Sequence, residues 1–231
     1  MADSAHGKRP VICCLSDFSA EYPGSFIDAL LALAQYCRRH MRIDLLCVFP
    51  EAAKQSGWLD RFDAEGIGYG FIPRKGKIIP AIRSLLHGCE PLIFHTHFSL
   101  YDRYSLLLKM LSYRKSKIVW HYHSHPSAST LLQRVKQATK LRLVGPCLSD
   151  RCVAVGDGVY RALQAAGYPA RKLLLVRNGV NTQRYCSNPA ERRRARAFLG
   201  VDDGQTVFLL LGWDPLRKGC DTFIQAAGEV D

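Results

Sequence analysis

Acidic side chains are in short supply. The 231-residue chain carries 20 Asp and Glu against 32 Lys and Arg, a formal net charge of +12. Such a surface attracts nucleic acid, anionic lipid or acidic substrates. The helix-turn-helix, zinc-finger and RNP-type patterns of base readout are missing, which removes nucleic acid as a partner. Two readings of the charge stay open: a solvated basic face, or attraction to an anionic membrane. The basic clusters lie at 38–42, 74–77, 114–117, 134–142 and 192–196. No apolar run approaches the ~18 residues of a membrane-spanning helix. The first fifteen residues lack the apolar core and small-residue cleavage site of a secretory signal, because V-I-C-C-L runs straight into Ser16-Asp17. There is no C-x-x-C pair among the nine cysteines, and Cys13, Cys14, Cys47 and Cys152 sit inside apolar runs. They read as buried, reduced thiols of a cytoplasmic protein. Internal repeats and low-complexity tracts are also lacking.

What the chain does have is the composition of a globular protein, 48% hydrophobic and 23% charged, long enough to bury a sizeable core. Apolar runs rich in β-branched residues at 11–15, 43–49, 68–72, 92–96, 117–122, 152–155 and 173–176 read as strands. Helix-length segments such as 25–40 and 131–143 separate them. Near-continuous apolar strands alternating with helices predict a parallel sheet covered on both faces. The fold class is therefore α/β, a Rossmann-like doubly wound sheet, with ligands at the carboxyl ends of its strands.

The predicted organisation is a first domain over 1–180, a connector over 181–205 holding Pro189 and a run of arginines, and one βα unit over 206–231. In that unit 207–211 reads as a strand and 221–230 as a helix. A lone βα unit cannot bury both its faces. It packs on the first domain, dimerises or frays; the alternative is an eighth strand of one continuous sheet.

Four features are candidates for chemistry. The loop after the first strand, residues 16–25, leads into a helix N-terminus, whose outward amides and dipole favour anions. There Gly24 permits close approach of a ligand to the backbone, and Ser25 is a candidate cap. The second feature is a histidine group: His95 and His97 at the fourth strand, then His121, His123 and His125 at the fifth. Zinc is one reading. With no Asp, Glu or Cys close by in sequence, the preferred reading is a cleft histidine that handles a proton or a polar group, without a metal. Alternation puts His121 and His123 on one face, with His123 nearer the strand end and His121 one pleat deeper. The third feature, V-G-D-G-V at 155–159, is a permissive strand-to-helix turn. The fourth is Arg217-Lys218-Gly219 at a helix start, where a lysine can neutralise a diphosphate.

In this order the features resemble family 4 glycosyltransferases of the GT-B fold. The resemblance rests on I-F-H-T-H-F at 93–98, I-V-W-H-Y-H-S-H-P at 118–126, the run from V-A-V-G-D-G to R-N-G-V-N at 153–181, and F-L-L-L-G-W-D-P-L-R-K-G from 208. It implies a two-domain enzyme that transfers a sugar from a nucleotide-sugar to a glycan or lipid-linked hydroxyl with retention of configuration. No cofactor or essential metal is implied. Gly24 falls where the family's glycine loop faces the donor phosphates. His123, with His121 as the alternative, falls at the family's cleft histidine. His95 and His97 fall on the acceptor side, and Lys218, with Arg217, at the lysine that stabilises the leaving diphosphate. The chain departs from the pattern in having Pro23-Gly24 for a double glycine, Trp213 for an arginine and Asn181 for an aspartate. The family's two glutamates fall beyond Asp231, so the second domain is expected to be truncated. Within the same fold the alternative activity is a nucleotide-sugar epimerase. From another class, the alternative is a non-catalytic remnant that binds a partner or a membrane surface.

Overall fold

The computed structural model describes residues 8–126, 130–211, 215–216 and 218–229. The chain divides into two compact units, one ending at Thr182 and the other starting at Gln183.

The first unit is built on seven strands: β1 (Arg9–Ser16), β2 (Asp44–Pro50), β3 (Gly68–Ile72), β4 (Cys89–His97), β5 (Lys117–Tyr122), β6 (Arg151–Ala154) and β7 (Leu173–Leu175). All pair in parallel, in the order β3-β2-β1-β4-β5-β6-β7. This is the doubly wound order with one strand added at the edge, and its direction reverses between β1 and β4. The helices are α1 (Gly24–Met41), α2 (Leu59–Ala64), α3 (Ile78–Leu85), α4 (Asp102–Leu111), α5 (Leu131–Thr139), α6 (Gly145–Leu148) and α7 (Asp157–Ala165).

Alternation along β1 explains the two cores. Val11, Cys13 and Leu15 enter one, with Phe94, Ile118, Trp120 and Cys152 of the neighbouring strands. Ile12 and Cys14 enter the other, with Cys47, Phe49 and the buried stripe of α1, namely Ile27, Leu30, Leu31, Ala34 and Cys37. That stripe repeats at three and four residues, as a helix packed on a sheet requires. Each such aliphatic side chain removed from water stabilises the fold by about 1.5–3 kcal/mol. Arg42, at φ 56°, ends α1 in the left-handed conformation, and the Ile43 N–H that follows it donates to the Cys37 carbonyl at 3.3 Å.

The helix expected over 131–143 is in fact a composite. A capping box opens α5: Thr130 Oγ1 accepts from the Gln133 amide, while Gln133 Oε1 accepts from the Thr130 amide. After Thr139 the chain makes a π-helical turn, Lys140–Val144, before α6. The wide turn lets Gly145 approach the core. A Cβ there would lie 2.6 Å from Trp120 and 2.9 Å from Tyr168.

In the second unit, α8 (Pro189–Leu199) has Asn188 as its cap, whose side-chain oxygen accepts from the Ala190 and Glu191 amides. It closes at Gly200, φ 68°. Arg196 then donates to the carbonyls of Asp202 and Gln205, fixing the turn after the helix. The last helix is α9 (Cys220–Ala227). The strand expected over 207–211 is not formed. Phe208, Leu209 and Leu211 are 74, 77 and 78% exposed, and no β-pairing partner is present among the described residues. A single extended segment leaves its amides and carbonyls unpaired, so an apolar run alone does not make a strand.

Candidate functional site

The strand order reverses between β1 and β4, where a doubly wound fold has its ligand crevice, and four histidines gather at the carboxyl ends of β4 and β5 beside that point. Register explains why. Cys14 and Ser16 of β1 are the Cα partners of His95 and His97 in β4, and His97 is the partner of His121 in β5. His123 follows one residue after β5 ends. All four rings therefore share the face of the sheet that carries Cys14.

The rings interlock. His95 Nε2 lies 3.2 Å from His121 Nδ1, and His97 Nδ1 lies 3.0 Å from His123 Nε2. In each pair one imidazole donates and the other accepts. The rings of His121 and His123 stack at 4.5 Å, and Phe98 stacks on His123 at 4.4 Å. From the first turn of α1, Phe26 meets His97 and His123 edge-on at 5.0 and 5.5 Å. Three buried polar atoms on this face, Ser16 Oγ, His97 Nε2 and His121 Nε2, have no hydrogen-bond partner among the described residues.

Burial sets the charge state. It holds His97 well below the usual imidazole range, helped by the neighbouring His95, His121 and His123. Burial, then the same kind of neighbour, brings His121 down to about 2 and His123 to about 4. These rings are neutral imidazoles at pH 7, each with a lone pair to accept a proton or bind a hydroxyl. On the same face Cys14 is drawn below its ordinary value by hydrogen bonds with Cys47 and His95, against burial.

The loop from β1 to α1 forms the other wall. Gly24 has φ +54°, a conformation that L side chains rarely adopt, and an added Cβ would meet nothing within 4 Å. The site beside its backbone is open to a ligand. Ser25 does not cap α1: Pro23 occupies the cap position, and no side chain bonds the first amides. The loop is held by Asp17 on Arg74 at 2.7 Å and by the Trp58 indole N–H donating to the Ala20 carbonyl at 2.9 Å.

The β4–α4 connection carries backbone strain. Phe98 and Ser99 have φ of 64° and 61° without being glycine. Positions of this kind cost on the order of 1–3 kcal/mol each and concentrate at functional sites. Here the strain turns the Phe98 ring over His123. Behind the loop, Asp102 is buried at the start of α4. It accepts from Thr96 Oγ1 and Tyr122 OH and pairs with Lys140 at 2.6 Å. Burial raises its carboxyl and Lys140 opposes that. A recess of about 430 Å³ opens nearby, lined by Ser99, Tyr122, Ser124, His125, Lys136 and Lys140.

The structure thus gathers His95, His97, His121 and His123, while His125 lies apart in the recess, its ring 3.1 Å from where a Gly158 Cβ would sit. Gly156 precedes α7 in extended backbone, completing the turn expected at 155–159. Lys218 belongs to the second unit and is exposed, next to Gly219 at φ 72° before α9. Arg217 and Trp213 lie outside the described residues. Cys14, Phe26 and Phe98 were not singled out from sequence. Only the non-sequential β1–β4 pairing brings Cys14 to the histidines.

No helix among the described residues is long and apolar enough to cross a membrane. The structure is similar to HepE of Anabaena, solved with UDP and glucose, at a TM-score of 0.61 and 13% identity, covering 82% of this chain and 50% of that one. It is also similar to a glycosyltransferase of Rickettsia africae, at 0.61 and 12%, covering 91% and 55%. A UDP-GlcNAc 2-epimerase of Neisseria meningitidis, bound to UDP-GlcNAc, matches at 0.55 and 14%, covering 85% and 55%. The chain thus spans about half the length of these proteins, which share its fold. By sequence it is 34% identical over 82 residues to alpha-galactosylglucosyldiacylglycerol synthase of Streptococcus pneumoniae, covering 35% of this chain and 22% of that synthase. Residues 29–184, well over half of the chain, match the profile of Glycosyltransferase Family 4. The chain belongs to glycosyltransferase family 4.

Proposed function

We propose that this chain supplies the acceptor-side wall of a cleft in which a sugar passes from a nucleotide-sugar to an acceptor hydroxyl with retention of configuration. The observation that carries this reading is the interlocked row of histidines at the strand-order reversal, packed against Phe26 in the first turn of the helix that Gly24 opens. In it, His123 is the cleft group that binds or relays a proton from a hydroxyl, and His95 and His97 line the acceptor side. Gly24 admits the donor phosphates. Lys218, with Arg217, neutralises the leaving diphosphate together with helix amides, so charge compensation needs no metal. The UDP complexes of HepE and the epimerase support a nucleotide-sugar donor. The family match favours transfer over epimerisation.

A lipid-linked acceptor at a membrane surface fits the same reading. The lipid product in the streptococcal relative's name supports it. So does α5, whose Leu131, Leu132 and Val135 are exposed beside Lys136 on a basic chain. Nine free thiols, six of them buried, suit a reducing, cytoplasmic setting.

The test joins this chain to the donor-binding half of a family 4 enzyme and supplies labelled nucleotide-sugars, candidate acceptors and EDTA. The expected product is a glycoside with the donor's anomeric configuration, read by NMR. Acceptor-independent conversion of the nucleotide-sugar to its epimer would replace the reading with epimerisation. Donor binding with neither product would leave a non-catalytic binding module.

A further inference from the structure

We infer that His97, His121 and His123 form a binding site for one transition-metal cation of the Zn²⁺ class. Each offers a ring nitrogen, and the three nitrogens lie within 4.8 Å of one another. A tetrahedral zinc site with Zn–N of ~2.0–2.1 Å needs nitrogens about 3.3 Å apart. The nitrogens must therefore close by at most about 1.5 Å, and that motion falls to His123, which lies past the last residue of β5.

The bonding pattern is that of ligands waiting for an ion. A metal-bound histidine uses one ring nitrogen for the metal and the other for a hydrogen bond that fixes its orientation. His121 pairs its Nδ1 with His95 and leaves its Nε2 buried with no partner among the described residues. His97 pairs its Nδ1 with His123 and leaves its Nε2 in the same state. A buried polar atom without a partner costs about 1–3 kcal/mol, and a cation would satisfy both at once.

Cys14, His95 and His97 also lie within 4.8 Å of one another. The orphaned nitrogens nonetheless belong to His97 and His121, and only the trio of His97, His121 and His123 contains both. His95 is therefore an outer partner of His121. Three imidazoles without a carboxylate exclude the oxygen-ligand cations Ca²⁺ and Mg²⁺ and suit zinc, cobalt or nickel, with a fourth position left for water or a hydroxyl.

The site goes beyond the transfer reaction, and the observations behind it do not rest on that reading. A cation here occupies the imidazoles that the transfer reaction uses, so it competes with transfer rather than assisting it.

The experiment strips the purified chain with EDTA, removes the chelator, and titrates Zn²⁺ by calorimetry and Co²⁺ by absorption. No sugar is present, so failure here leaves the transferase reading untouched. The expected result is one ion per chain and a visible Co²⁺ band without a thiolate charge-transfer band. Replacing His121 or His97 with alanine should weaken binding by more than the ~10–100-fold typical of losing an outer partner, and His95→Ala should fall within that range. Cys14→Ser should bind as the parent does. If the strand variants do not fold, His123→Gln, beyond the strand, should weaken binding in their place. Absence of saturable binding at micromolar Zn²⁺, or unchanged affinity in His121→Ala or His123→Gln, would overturn the site. A thiolate band that Cys14→Ser removes would overturn this ligand set.

Discussion

At the scale of the residue, burial makes His97, His121 and His123 useful, and it also makes them sensitive to acid. Folded His123 and His121 are held at about 4 and about 2, against ~6.5 in an unfolded chain. Below pH 6.5 the unfolded state binds protons that the folded state refuses, so stability falls as pH drops toward 4 and is fully present above 6.5. The slope is about 1.4 kcal/mol per pH unit for each proton taken up. Urea unfolding with EDTA at pH 7.0 and 5.5 should show a lower midpoint at the acid value, with a smaller loss in His123→Gln. A flat or rising midpoint on acidification would mean that these rings are not neutral in the fold. The histidines themselves were legible in the sequence, because H-x-H twice at strand ends leaves little choice of face. Cys14 and the Phe98 stack were not, since one depends on which strands are neighbours and the other on positive φ angles at residues that are not glycine.

Among the elements, the buried pair of Asp102 and Lys140 ties three pieces together: the end of β4 through Thr96, the end of β5 through Tyr122, and the π-helical turn after α5. Lys140 also lies over the rings of Trp120 and Tyr122, at 5.1 and 5.4 Å. Lys140→Met removes the only cation paired with Asp102 among the described ion pairs and leaves a buried carboxylate. Breaking a buried pair from one side costs about 3–5 kcal/mol. Denaturant unfolding should show a loss of that order, largely restored when Asp102→Asn is added. A loss below about 1 kcal/mol would mean that the pair does not hold the rim. The seven strands were readable from apolar runs because each pairs with at least one neighbour in the sheet and buries side chains against it. Residues 207–211 carry the same pattern without such neighbours and stay irregular. The composite of α5, π-turn and α6 was invisible because its cause, Gly145 closing on Trp120 and Tyr168, is tertiary.

For the whole molecule, the charge of +12 and the exposed apolar residues of α5 bear on where the protein works. If they serve a membrane surface, the chain should co-sediment with anionic vesicles and come off as salt rises from ~0.05 to ~0.5 M, because screening shortens the reach of surface charge. Equal partition onto neutral vesicles, or none onto anionic ones, would leave the charge as a solvated face. The doubly wound sheet and its crevice were expected from strand and helix alternation, and the observed strand order puts the reversal beside the histidines. The division of labour within that row is the central claim. His123 stands past the end of β5 at the crevice, while His121 lies within the strand, bonded to His95. The most direct measurement compares His123→Ala and His121→Ala in the chain joined to a donor-binding half, with EDTA present, reading turnover and melting temperature together. The expected result is a ~10²–10⁴-fold fall in turnover for His123→Ala with the melting temperature little changed, and mainly a lowered melting temperature for His121→Ala. Full turnover in His123→Ala, or the two effects reversed, would contradict it.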